Sequence, residues 1–166
     1  KVLALFDKWL KENGYDKTSA DFDFKNDSEN ETIVDFKIYI QEKYYEEMFS
    51  YMREIGIKIP LNGTNHSIVP ANVKTQLCAD YIDTHPYYYT WGCWEEFRKC
   101  CENKSVTHAN ETYLLTGAYM SAENKPTYIS EWDMPWPNEY RAESPVLFAA
   151  AGLLQGWSGF AIHTYA

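Results

Sequence analysis

Apolar residues recur at helical spacing in three stretches of the chain. The first stretch, residues 1–14, predicts an amphipathic helix that ends at the stop signal Asn13-Gly14. The second, residues 31–56, keeps an apolar stripe over several turns and ends at Gly56. The third, residues 139–155, is apolar and Ala-rich and is closed by Gly156. Residues 16–30 are acidic and rich in turn-forming residues, so we expect a loop between the first two helices.

Four short runs of β-type residues predict strands in the rest of the chain. They span residues 57–65, 80–87, 126–130 and 159–165, and each leads into polar or aromatic residues. Helical or irregular connections separate them, including a piece around residues 71–78 and a long excursion over residues 91–124. Consecutive strand and helix units predict a parallel sheet, and a (β/α) barrel is the expected fold. A doubly wound sheet is the competing fold, although no Gly-rich phosphate turn follows any strand.

Four such units make only half of a barrel, because a complete eight-stranded barrel takes about 250 residues. The chain has 166 residues and begins without Met inside the first amphipathic pattern, so we expect a piece of a longer protein. Half a barrel has two open edges, and inward-facing residues would lose the facing half of their core. These residues are Ile59, Ile82, Ile129 and Ile162. The expected partner is the missing N-terminal half of the barrel or a second copy of the chain.

Composition narrows the classes of function. A hydrophobic content of 45% allows a buried core, and no run of residues approaches a membrane span. The formal net charge of −9 and the absence of a Lys/Arg stripe argue against binding to nucleic acid. Aromatic residues make up 17% of the chain, so we expect some of them to line a surface that binds a neutral ligand.

The cysteine and asparagine patterns bear on metal binding and on the compartment. The four cysteines form no CxxC pair and have no His-spaced partner, so we expect no metal ion and no cofactor. Their thiols are either buried or joined in one disulfide within residues 93–101. Asn-x-Ser/Thr occurs at Asn26, Asn30, Asn62, Asn65, Asn103 and Asn110. This density indicates either Asn-rich turns or a glycosylated, secreted protein, and the second alternative favours an extracellular location.

Glu131 is the strongest candidate for chemistry in the chain. The prolines at 135 and 137 prevent the strand over residues 126–130 from continuing far, which places Glu131 at its C-terminal end. In parallel α/β folds this end of the sheet is where ligands bind. Trp132 and Trp136 offer flat apolar faces of the kind on which sugar rings stack. The alternative is a loop glutamate beside core tryptophans.

Several motifs in order along the chain resemble a known family. They are Gly63-Thr-Asn65, Asp83-Thr-His85-Pro-Tyr87, Ile129-Ser-Glu131-Trp, Gln155-Gly-Trp157 and the run from Phe160 to Tyr165. Together they resemble the second half of the retaining glycoside hydrolases of clan A, the cellulase-like family five group, over about residues 35–166. The resemblance implies a (β/α)8 TIM barrel, with residues 1–166 as the C-terminal half of one catalytic domain and strands five to eight.

The resemblance also implies roles for individual residues. Glu131 corresponds to the catalytic nucleophile. His85 and Tyr87 correspond to a His-x-Tyr motif that orients the nucleophile and binds substrate. Tyr165 or His163 lies nearest to an aromatic position of the glycone subsite. Asn65, Trp132 and Trp136 complete the set of residues that we expect to contact a carbohydrate.

The acid/base glutamate of that family is missing from this sequence. The family carries it in an Asn-Glu pair at the end of strand four, whereas Asn65 is followed by His66 on the predicted strand five. The resemblance therefore implies an acid/base upstream of residue 1. Asp83, Asp133 and Glu139 are candidates to replace it, but each fits a structural or solvated role better. Asp83 points to the same side of its strand as His85 and is expected to lie deeper.

Two functions follow from the sequence. The first is hydrolysis of O-glycosidic bonds in a β-linked oligo- or polysaccharide by a retaining double displacement, with no activity in the isolated piece. The second is a non-catalytic carbohydrate-binding protein on the same barrel scaffold. Fold alone does not separate the two hypotheses, because one scaffold hosts both.

Overall fold

The computed structural model describes residues 1–27, 29–65, 69–88, 103–108, 117–134, 136 and 138–163. The chain divides into two compact units, Lys1–Gly56 and Ile57–Ala166. In the described ranges, no helix is both long enough and apolar enough to cross a membrane.

The first unit is built on two helices around a core of aromatic rings. Helix α1 spans Val2–Glu12 and helix α2 spans Glu31–Glu54, close to the predicted bounds. The side chain of Asn30 caps α2 by accepting a hydrogen bond from the Ile33 N–H. Phe6, Trp9, Leu10, Ile33 and Phe36 form the buried cluster.

The acidic segment between these helices is more ordered than the loop that its composition predicts. It contains a short 3₁₀ turn, Ser19–Asp21, which begins with reciprocal hydrogen bonds between Thr18 and Asp21. Beyond this turn, Phe22 and Phe24 place their rings 5.1 and 5.0 Å from that of Phe6. The segment therefore contributes apolar surface to the core of the unit.

The second unit contains a three-stranded parallel sheet in the order β1-β2-β3. Strand β1 is Ile82–Asp83, β2 is Thr127–Trp132 and β3 is Gly159–Ile162. Helix α3, Pro70–Thr75, precedes β1, and helix α4, Glu143–Gln155, connects β2 to β3. Gly156 ends α4 with a φ of +69°, a conformation that glycine adopts without steric cost.

The predicted half of a (β/α)8 barrel is wrong. The described residues form one small parallel sheet of three strands in a largely helical chain, not four consecutive strand and helix units. Residues 57–65 form no strand, and Ile59 is 68% exposed. Pro60 has no N–H to donate, and the segment is held instead by two hydrogen bonds between Leu61 and Asp80: the Asp80 N–H donates to the Leu61 carbonyl, and the Leu61 N–H donates to the Asp80 carboxylate. A local β-type pattern without a partner strand did not make a fourth strand.

The expected loss of core in a half barrel also does not describe this unit. Ile82 and Ile129 are fully buried in the smaller structure, whereas Ile162 is 37% exposed. A missing half or a second copy as partner stays a prediction.

The main core of the second unit lies against β2. Ile129 and Trp132 pack with Phe148 of α4, and the rings of Trp132 and Phe148 are stacked with centroids 4.4 Å apart. A Cβ on Gly152 would lie 3.0 Å from the rings of Phe160 and Trp157, so α4 approaches these rings closely. This packing fixes β2 between the helix and its two neighbouring strands.

Helix α4 offers a matched pair of variants to test this core. Phe148 is fully buried and Leu153 is 86% exposed. We expect Phe148→Ala to lower the free energy of unfolding by about 3–5 kcal/mol, because it leaves a cavity. Leu153→Ala should change it by less than about 0.5 kcal/mol. Urea denaturation followed by tryptophan fluorescence measures both, and equal effects of the two substitutions would contradict the described packing.

Candidate active site

Three polar side chains meet at the C-terminal end of β2. The Tyr87 hydroxyl donates a hydrogen bond of 2.6 Å to Oε2 of Glu131. Nδ1 of His85 lies 3.2 Å from the same oxygen. The sequence-based prediction that His85 and Tyr87 contact Glu131 is therefore confirmed. The Glu131 side chain is 35% exposed and that of His85 14%, so the carboxylate is open to solvent while its orienting partner is largely covered.

The parallel pairing of β1 with β2 brings these residues together. Asp83 pairs with Tyr128 in the sheet, and beyond β1 the chain continues alongside β2. Tyr87 forms an isolated parallel bridge with Asp133, and the Tyr88 N–H donates to the Asp133 carbonyl over 3.1 Å. The segment after β1 is therefore fixed to β2 at both ends, which holds His85 and Tyr87 beside Glu131.

A second layer of contacts lies behind His85. Nε2 of His85 is 2.7 Å from the Ser130 hydroxyl. That hydroxyl donates to Oδ2 of Asp83 over 2.7 Å, and the Ser130 N–H donates to Oδ1 over 2.9 Å. Asp83 is only 5% exposed, as expected for its deeper position. Because both carboxylate oxygens accept from Ser130, Asp83 serves this network and is not a solvent-facing acid.

A buried glutamine supports Asp83 from the other side. Gln76 is fully buried; its Oε1 accepts from the Asp83 N–H over 2.8 Å, and its Nε2 donates to the Asp83 carbonyl over 3.1 Å. The Asn62 amide donates to both Gln76 Oε1 and the Tyr81 carbonyl. Sequence reasoning missed Gln76 and Ser130, since neither stands in a spacing that marks a site. The adjacency of Ser130 to Glu131 was the one available signal.

Two further titratable residues adjoin the site. The His163 ring meets the Tyr87 ring edge-on, with centroids 6.0 Å apart, and the His163 backbone N–H donates to the Trp132 carbonyl. Burial raises the pKa of the Asp133 carboxyl above its ordinary value. A hydrogen bond from the Met134 N–H and the nearby charges of Arg141 and His163 lower it by less.

The remaining sequence-predicted ligand residues are not brought into this network. Trp132 is 4% exposed and stacks on Phe148, so it belongs to the core and offers no free face to a sugar. Trp136 is 54% exposed. Asn65 is exposed, and among the described residues no hydrogen bond joins it to Glu131 or His85. Tyr165 lies outside the described residues.

The remaining candidate acid and the cysteines are either exposed or outside the described residues. Glu139 is exposed on the segment that follows β2. Among the residues that the structure describes, no group of three or more His, Cys, Asp or Glu side chains is arranged to hold a metal ion. Cys78 is exposed and not buried, its thiol donates to the Thr75 carbonyl, and the other three cysteines lie outside the described residues.

The arrangement presents a carboxylate with one oxygen engaged and one available. Oε2 of Glu131 takes the contacts from Tyr87 and His85, and no described residue bonds to Oε1. The hydrogen bond from Tyr87 and the close approach of His85 Nδ1 fix the orientation of the carboxylate and leave the second oxygen to face a ligand. This geometry suits a nucleophile that is aimed before substrate arrives.

No protein-family model, curated protein or solved structure matches this chain. The glycoside hydrolase resemblance of its motifs stays a prediction.

The raised pKa of Asp133 makes a testable difference to the pH dependence of stability. In the folded protein Asp133 holds its proton to higher pH than in the unfolded chain. The free energy of unfolding therefore falls as the pH rises from the pKa of the unfolded chain to that of the folded protein. The window opens near the unfolded value of about 4 and extends upward. We expect Asp133→Asn to remove this decline, so that its melting temperature rises relative to the parent with increasing pH. Parallel curves of melting temperature against pH for the two proteins would contradict the expectation.

Proposed function

We propose that this protein contributes the nucleophile of a retaining glycosidase that acts on a β-linked oligo- or polysaccharide. The observation that carries the proposal is the double contact on Oε2 of Glu131, from the Tyr87 hydroxyl at 2.6 Å and toward His85 Nδ1 at 3.2 Å. Glu131 lies at the C-terminal end of a parallel strand, where α/β proteins commonly bind their ligands.

The proposed chemistry is a double displacement. Oε1 of Glu131 attacks the anomeric carbon as the glycosidic C–O bond breaks, and the leaving oxygen takes a proton from an acid. The product is a glycosyl ester of Glu131, in which Oε2 becomes the ester carbonyl oxygen. Water, deprotonated by the same acid/base group, then attacks the anomeric carbon and releases the sugar with its original stereochemistry.

The proposal assigns the acid/base to a carboxyl outside this sequence. Asp83 does not suit the role, because it is buried and both of its oxygens accept hydrogen bonds from Ser130. Retaining enzymes hold their two carboxyl groups about 5–5.5 Å apart, which gives the missing group a defined place opposite Glu131. His163 and Trp136 are the exposed rings nearest in sequence to this end of the sheet and are assigned to sugar contact.

The nucleophile can be tested without the acid/base. A 2-deoxy-2-fluoro β-glycoside with a dinitrophenolate leaving group needs no proton for departure, and the fluorine slows hydrolysis of the ester. Gluco-, galacto- and manno-configured compounds cover the open question of the sugar. We expect one of them to add one fluorosugar to the protein, on the peptide that contains Glu131, as measured by mass spectrometry.

Two glutamine variants complete the test. Glu131→Gln should abolish labelling, whereas Glu139→Gln, which changes an exposed glutamate on the same segment, should label like the parent. Labelling of Glu131→Gln within about tenfold of the parent rate would sink the assignment. Sugar binding without labelling by any of the three compounds would favour the carbohydrate-binding alternative.

The role of Tyr87 is a separate prediction. Tyr87→Phe removes a hydrogen bond to a charged oxygen, worth about 1.5–3 kcal/mol. We expect labelling to slow by about 10- to 100-fold if this bond is fully used in the transition state. Tyr140→Phe removes a hydroxyl from a 42% exposed side chain and is the matched control. Equal labelling rates in both variants would show that the Tyr87 hydroxyl does not act on Glu131.

A further inference from the structure

The Ser130 hydroxyl has one proton and two neighbours that compete for it. Oδ2 of Asp83 and Nε2 of His85 both lie 2.7 Å from its oxygen. An ionised carboxylate only accepts, and the Ser130 N–H already donates to the other oxygen of Asp83. The hydroxyl therefore gives its proton to Asp83 and accepts from His85, which places a proton on Nε2.

This assignment decides what His85 presents to Glu131. With Nε2 turned to Ser130, Nδ1 faces Oε2 of Glu131 at 3.2 Å. A neutral His85 with its proton on Nε2 leaves Nδ1 unprotonated beside this oxygen, which accepts its hydrogen bond from the Tyr87 hydroxyl.

We infer that Asp83 and Ser130 are positioning residues that fix a proton on His85 Nε2 and so determine which ring nitrogen faces Oε2 of Glu131. The part that this arrangement plays in catalysis rests on the proposed function.

The proton on Nε2 can be observed directly by ¹⁵N NMR of the full chain labelled at histidine. His85→Gln assigns the resonances among the four histidines. At pH about 7, near the range in which free histidine titrates, we expect the His85 Nε2 of the parent to carry a proton. Ser130→Ala removes the acceptor, so His85 should shift towards the form that is protonated at Nδ1 alone and donates to Glu131.

Two other serine variants give the controls. Ser130→Thr keeps a hydroxyl on the strand and should restore the parent spectrum. Ser121→Ala removes a hydroxyl that donates to the Ala118 carbonyl and should leave His85 unchanged. Asp83→Asn should act like Ser130→Ala, and the Ser130 variants decide the outcome if Asp83→Asn does not fold. A parent His85 without a proton on Nε2, or a Ser130→Ala spectrum identical to the parent, would overturn the inference.

Labelling by the fluorosugar supplies the catalytic readout. We expect Ser130→Ala to label about 10- to 100-fold more slowly, as for other residues that orient a functional group, and Ser130→Thr to recover most of the rate. Full labelling in Ser130→Ala would refute a positioning role. If the parent is not labelled at all, the proposed glycosidase function fails, while the NMR spectra still decide where the His85 protons lie.

Discussion

The central strand β2 is bonded on both edges, and the described second unit depends on this pairing. The Ile82 N–H donates to the Pro126 carbonyl on one side, and the Ser158 N–H donates to the Thr127 carbonyl on the other, each over 2.8 Å. Alternation along the strand then sends Ile129 into the core and turns its neighbour Ser130 toward the polar site. One strand thus supplies core residues of the unit and also positions the polar side chains of the candidate site.

A buried carboxylate sets the second constraint. Taking the charge of Asp83 out of water is costly unless hydrogen bonds replace its hydration. Ser130 supplies two of them, from its backbone and from its hydroxyl. Because the Ser130 hydroxyl donates its proton to Asp83, it can only accept a hydrogen bond from His85. The hydrogen bonds that the buried carboxylate requires therefore also affect His85, which lies beside Glu131. Stability of the sheet and orientation of Glu131 are linked through this one serine.

The aromatic content of the chain has a structural explanation in the first unit. Small units bury too little surface with aliphatic side chains alone, and large rings add area and specific edge contacts. Phe6 touches Phe22 and Phe24 at steep angles and lies 4.7 Å from Phe36. In the second unit the Trp132 side chain is likewise buried in the core. The excess of rings therefore indicates packing at least as much as ligand binding.

The sequence by itself determined the features that depend on neighbours along the chain. Helical periodicity with Asn and Gly at the ends predicted α1 and α2 to within a few residues, and the β-type run before Glu131 predicted β2. The spacing Asp83-x-His85-x-Tyr87 placed three side chains on one side of an extended segment. Parallel pairing then brought His85 and Tyr87 to Glu131, and Asp83 to the neighbouring Ser130.

Only the tertiary structure decided which segments found partners. Residues 57–65 carry a β-type pattern, but a strand needs a neighbour to bond to, and the pattern does not encode one. For the same reason, the prediction of four strands and a half barrel from the sequence pattern was wrong. The contact between Ser130 and Asp83 joins residues 47 positions apart, and Gln76 reaches the backbone of Asp83 from before β1. Such contacts arise from the register of the folded strands, and no local spacing in the sequence records them.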